Sequence, residues 1–128
     1  MGHYDLSSKT VLVTGAEVGI GRAIALRALA DGANVAIAGI NPEMRDETMA
    51  LVRDAGFADR FVALSANIRD AGQVQKMVDD TVAKFGHLDA AIANAGVMVV
   101  RRPFLELTHE EWHNVIAVNL HGTFHTLQ

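Results

Sequence analysis

Short β-branched runs alternate four times with longer segments of helical period, and no other feature limits the possible folds of this chain so strongly. Thr10–Thr14 runs into Gly15 and reads as a buried strand. A helix is predicted over residues 20–30, with Ile20, Ala23 and Ile24 on one face, Arg27 and Asp31 paired one turn apart, and Gly32 as its stop. Residues 34–38 form the second strand. Asn41 then caps a helix with Pro42 in its first position, a stripe of Met44, Thr48, Leu51, Val52 and Ala55, and Gly56 at its end. Residues 60–65 are the third strand, after which Asp70 and Gln73 open a helix with the stripe Val74, Met77, Val78, Thr81, Val82 and Phe85, ended by Gly86. Residues 88–93 make a fourth strand, apolar almost throughout and therefore expected to be covered on both faces. Thr108 and Glu111 form a capping box for a last helix that runs to Gln128. The order predicts an α/β fold with a doubly wound parallel sheet and right-handed crossovers.

Half of the 128 side chains are hydrophobic, which suits one core and one domain over residues 1–128. Eleven Lys and Arg stand against fifteen Asp and Glu, a net charge of -4, and Arg101-Arg102 is the only basic doublet; nucleic acid is not an expected partner. With no cysteine, disulfides, thiolate metal sites and a thiol nucleophile are excluded together. Residues 1–9 lack an apolar run of signal-peptide length, and residues 88–100 are too short and too polar, at Asp89 and Asn94, to cross a bilayer. The expected compartment is the cytoplasm, with no membrane partner. His3 and His87 suit a tail and a loop.

The first strand turns into its helix through Thr14-Gly15-Ala16-Glu17-Val18-Gly19-Ile20-Gly21. Between a strand and a helix, the three glycines do different things. Gly15 makes a tight turn, Gly19 lets the backbone approach a phosphate closely, and Gly21 lets the helix pack on the sheet. Exposed amides at Ile20 and its neighbours, with the positive end of the helix dipole, would face a dinucleotide pyrophosphate. The competing reading is a tight turn that needs glycine for its backbone alone and binds nothing.

The spacing TGxxxGIG resembles that of the short-chain dehydrogenase/reductase family, as do three further markers between about Ser7 and Gln128. Asn94-Ala95-Gly96 is similar to the family's NAG signature beside the cofactor cleft. Asn67 follows the third strand where the family has a polar residue, more often aspartate, against the adenine. Asn119, in Ala117-Val118-Asn119-Leu120, matches the catalytic asparagine. The resemblance implies a Rossmann-type sheet in the order 3-2-1-4, NAD or NADP as cofactor, and a ketone or secondary alcohol as substrate. It also implies a homo-oligomer.

Independently of the resemblance, Asn119 lies seven residues after Trp112 on the stripe Trp112, Val115, Ile116, Leu120, Thr123, Phe124 and Leu127. A core-facing amide left unpaired costs about 1–3 kcal/mol, so Asn119 is expected either to fasten neighbouring backbone or to hold water in a site.

The family's proton chemistry requires a Tyr-x-x-x-Lys pair, in which lysine lowers the tyrosine pKa. Tyr4 is the only tyrosine, and Ser8 stands four residues on. The chain therefore resembles the cofactor-binding half of a longer enzyme, cut within the Asn119 helix; a catalytically inactive binding or interaction fragment is the alternative. In the order 3-2-1-4 the fourth strand would be an edge, a template for self-association. Cofactor choice is open: at the end of the second strand Gly39 stands where an NAD-type acid would be, and Ile40 where an NADP-type arginine often falls, with Asn41 or Arg45 as substitutes. His109-Glu110-Glu111-Trp112-His113 formally matches HExxH, but its glutamates read as first-turn residues and no carboxylate ligand follows before Gln128; no metal site is expected.

Overall fold

The computed structural model describes residues 4–99 and 101–128, so His3 lies outside the described residues. The central strand β1 (Thr10–Thr14) pairs in parallel with β2 (Asn34–Gly39) on one side and with β4 (Ala90–Ile92) on the other, while β3 (Phe61–Ser65) pairs with β2. The order is therefore β3-β2-β1-β4, as the resemblance implied, in the parallel α/β sheet that the alternation predicted. Helices α1 (Gly19–Ala30), α2 (Pro42–Asp54) and α3 (Ala71–Phe85) connect the strands.

Strand alternation divides the core in two. Val11, Val13, Val35 and Ile37 pack with Ala25, Leu29 and Val52 on the face of α1 and α2. Leu12, Ala36 and Ala38 meet Val74 and Met77 of α3 on the other face. Strand β1 is buried along its whole length, as a parallel strand between two helical layers must be.

Local signals place the helices accurately. Asn41 accepts the Met44 amide as an N-cap with proline following, and Arg27 holds Asp31 at 2.7 Å. Asp70 accepts from the Gly72 and Gln73 amides, but Gln73 reaches back to the Asn67 amide at 2.9 Å rather than to the cap residue's own, so the box is only half closed there. The Thr108–Glu111 box is complete.

Three expectations are corrected. The buried face of α1 is Gly21, Ala25, Ala28 and Leu29, and Ile20 is 76% exposed. The turn glycine closest to the sheet sets this face, and side chains at the fourth, seventh and eighth positions after it follow. Strand β4 spans three residues rather than six and, paired only with β1, is half-buried at most. The last helix is not continuous: α4 (His109–Ile116) widens into a π-helical turn (Ala117–Gly122) before α5 (Thr123–Leu127). The side of this segment turned to the core carries Val115, Val118, Gly122 and Thr126, at ordinary helical spacing, while Trp112, Leu120, Phe124 and Leu127 of the expected stripe are exposed. No helix among the described residues is long and apolar enough to cross a membrane.

Asp89, just ahead of β4, ties the two strand starts together. Its Oδ2 accepts the Thr10 amide at 2.8 Å, and Lys9 and His87 approach at 3.3 and 2.9 Å. The Thr10 hydrogen bond above all, assisted by Lys9 and His87, holds the Asp89 carboxyl below its ordinary value of 3.8. Because the folded-state value is the lower one, this contribution to stability is complete above 3.8 and is lost as pH falls through the lowered value. Asp89→Asn is expected to lower the urea midpoint at neutral pH, with its difference from wild type narrowing as the solution is acidified.

Candidate functional site

The strand order reverses between β1 and β4, and a crevice opens beyond the carboxyl ends of those strands, where open α/β sheets place their ligands. β1 leaves the sheet through Gly15 (φ +61°), and Gly19 (φ +62°) opens α1; both adopt the left-handed backbone that glycine takes without strain. A Cβ on Gly15 would lie 2.7 Å from the Ala95 Cα, so the turn and the segment after β4 pack closely at this glycine. A Cβ on Gly19 would meet nothing within 4 Å: its absent side chain faces open space. No described side chain caps α1, and its first turn carries no acid. Its leading amides and the positive end of its dipole are therefore available to an anion.

A network centred on Thr14 fixes the turn. The buried Thr14 hydroxyl accepts from the Asn94 and Ala95 amides, each at 3.1 Å. In return the Asn94 carboxamide donates to the carbonyls of Thr14 and Gly15, both at 3.0 Å. The Gly15 amide donates to Ala38 at the end of β2. Three strand ends are thereby locked to one another, with the glycine turn between them.

Beside the turn lies a cavity of about 370 Å³, within the range of small-molecule sites. Gly15, Asn67, Asn94, Ala95 and Gly96, all singled out in the sequence, line it together. Gly19, Ile20 and Gly21 form the adjoining first turn of α1 and are not among the lining residues. Asn67 is half-buried, and its side-chain oxygen accepts the Arg69 amide at 3.1 Å. Asn119 belongs to the π-helical turn, a form frequent at functional sites. Its side chain is exposed rather than core-facing, yet paired on both sides of its carboxamide: it accepts the Val97 amide and donates to the Val97 carbonyl, both at 2.8 Å. Of the two expected roles, the structure displays the fastener, and Val97 is itself a wall of the cavity.

A separate apolar depression of about 390 Å³ lies between Phe104, Leu105 and Trp112 and shares no residue with the cavity at the strand ends. His109 and His113, the formal HExxH pair, are joined differently: His113 Nδ1 contacts the His109 carbonyl at 2.6 Å.

The sequence reading missed Glu17. This acid within the glycine turn is 7% exposed and lines the cavity, with its Oε1 accepting the Ile40 amide at 3.1 Å and the Asn41 amide at 3.4 Å. Its carbonyl is held by Arg22 at 2.7 Å and by Thr48 at 2.9 Å. The one local hint was a carboxylate in a turn otherwise built of small and apolar residues.

A family model described as short chain dehydrogenase matches residues 9–128. Short chain dehydrogenase/reductase dpmpG of Macrophomina phaseolina is 39% identical over 120 residues, covering 94% of this chain and 68% of that protein. A 3beta-hydroxysteroid dehydrogenase of Mediterraneibacter gnavus is 37% identical, covering 97% of this chain and 44% of that one. Among solved structures, a short chain dehydrogenase/reductase from Burkholderia phymatum in complex with NAD superposes with a TM-score of 0.89 at 26% identity, over 97% of this chain and 43% of that one. The chain thus spans about two thirds of the first relative and under half of the other two.

Proposed function

The chain belongs to the short-chain dehydrogenase/reductase family, and from that premise we propose that residues 1–128 form the dinucleotide-binding domain of an NAD(P)-dependent oxidoreductase acting on a ketone or secondary alcohol. One observation carries the reading. At the reversal point of the sheet, Gly19 presents open space beside an uncapped helix start, and the adjoining cavity is lined by Glu17, whose buried Oε2 has no partner among the described residues. A cradle with no Cβ and an unmatched acceptor suit a group that carries phosphate and hydroxyls.

In this reading Gly15, Gly19, Ile20 and Gly21 hold the pyrophosphate through main-chain amides, Asn67 faces the adenine, and Asn94, Ala95 and Gly96 shape the wall. When bound, the nicotinamide supplies or accepts a hydride. Asn119 serves the reaction by holding the Val97 main chain in that wall, at 2.8 Å on both sides of its carboxamide. We further propose a cytoplasmic protein that self-associates, supported by the exposed apolar side chains Trp112, Leu120, Phe124 and Leu127.

Titrating the purified protein with NADH and with NADPH, read by nicotinamide fluorescence, tests the binding claim. Saturable binding of at least one is expected; no saturable signal with either would leave only the fold.

A further inference from the structure

β2 ends at Gly39, a residue with no side chain to offer a ligand, at the position where a dinucleotide fold commonly carries an acid for the adenosine ribose. The space is nevertheless filled. A Cβ built on Gly39 would overlap both carboxylate oxygens of Glu17, so the acid of the glycine turn occupies the place of the missing strand-end side chain. It is held there at four points: Arg22 and Thr48 grip its carbonyl, and the Ile40 and Asn41 amides grip Oε1. Oε2 is buried and has no partner among the described residues. Glu17, Gly39 and Ile40 line the same cavity wall.

We propose that Glu17, delivered from the β1–α1 turn, replaces the absent acid of β2 and selects the dinucleotide without a 2′-phosphate, NAD(H), over NADP(H). The inference rests on the dinucleotide reading above. A ribose hydroxyl gives the orphaned Oε2 a donor. A 2′-phosphate brings negative charge against a fixed carboxylate that cannot retreat, and like charges brought together disfavour that ligand. The neighbouring cations are otherwise engaged. Arg45 donates to the Gly39 carbonyl at 2.9 Å and is not in the cavity wall; Arg22 is bound to the Glu17 carbonyl and pairs with Glu47 at 3.2 Å. Arg69 lines the cavity from the β3 side and donates to Asn114 at 3.2 Å. Glu17 and Gly39 are thus a matched pair, since any side chain at position 39 collides with the carboxylate.

The test measures dissociation constants for NADH and NADPH with wild type, Glu17→Gln, Gly39→Asp and the double variant Glu17→Ser/Gly39→Asp, with circular dichroism to follow folding. Wild type is expected to prefer NADH by about tenfold or more, a difference of about 1.4 kcal/mol. Glu17→Gln keeps the size and the acceptor for Ile40 and Asn41 but removes the charge, and should cut the preference to roughly threefold or less, about 0.7 kcal/mol. Gly39→Asp alone should disturb the turn and weaken both nucleotides, whereas the double variant, with position 17 cleared, should regain the NADH preference. An equal or NADPH-favouring wild type, or a ratio unchanged in Glu17→Gln, overturns the role of Glu17 and leaves the dinucleotide reading standing. Absence of binding by either nucleotide overturns both.

Discussion

Gly21→Ala is expected to lower the melting temperature by roughly 4–11 °C, the equivalent of about 1–3 kcal/mol of overpacking in a domain of this size, and to abolish nucleotide binding. The added methyl would lie 2.5 Å from the Asn94 Nδ2, 2.6 Å from the Gly15 carbonyl oxygen and 2.8 Å from the Ala16 Cα. Two of these three neighbours are backbone and cannot rotate aside. The third is the carboxamide that holds the Thr14 and Gly15 carbonyls, so relief at that point would unfasten the turn itself. Helix propensity acts the other way: in a solvated helix interior, alanine is favoured over glycine by about 1 kcal/mol. The sign of the measured change therefore separates the two effects, and a stabilised, nucleotide-binding Gly21→Ala protein would refute the packing assigned to this residue.

Thr14→Val should be the second large effect. Valine keeps the shape of the fully buried side chain but removes the acceptor for the Ala95 amide and one of two acceptors for the Asn94 amide, which also reaches Ile92. A stranded buried donor costs about 1–3 kcal/mol, and since packing is nearly unchanged, almost all of the loss is attributable to the hydroxyl. Urea unfolding should show the destabilisation, and hydrogen exchange should quicken at Ala95 more than at Asn94. Thr14→Ser, which retains the oxygen, should recover most of the stability. Equal loss in the serine variant would mean that the missing methyl, not the hydrogen bonds, holds β1 to β4.

Both predictions concern residues of the glycine turn, the part of the site most legible in the sequence. Strand, turn and helix succeed one another within twelve residues there, and what each glycine does follows from its neighbours in sequence. The buried face of α1 is also within reach of the sequence: with Gly21 as the packing residue, Ala25, Ala28 and Leu29 follow by helical spacing, Ile24 packs beside them, and Ile20 and Ala23 turn outward. The break at Ala117–Gly122 leaves a weaker trace. Thr123 and Thr126 bond back to the carbonyls of Asn119 and Gly122 at 2.8 Å, and His125 reaches the Ile68 carbonyl at 3.0 Å. The last of these joins residues far apart in the chain, which periodicity does not register.

Element order, the caps at Asn41 and Thr108 and the glycine stops of the first three helices were determined by the sequence alone, because they depend on interactions within about five residues: an Asn41 side chain and the Met44 amide, a Thr108 hydroxyl and Glu111. Only the tertiary structure decided that Asn119 would clasp Val97 and that Glu17 would stand in for the side chain that Gly39 lacks. The reason is steric as much as chemical. Space at the end of β2 exists only after β1 and β2 pair in register, and which distant group then fills it is set by the sheet that brings the two strand ends together.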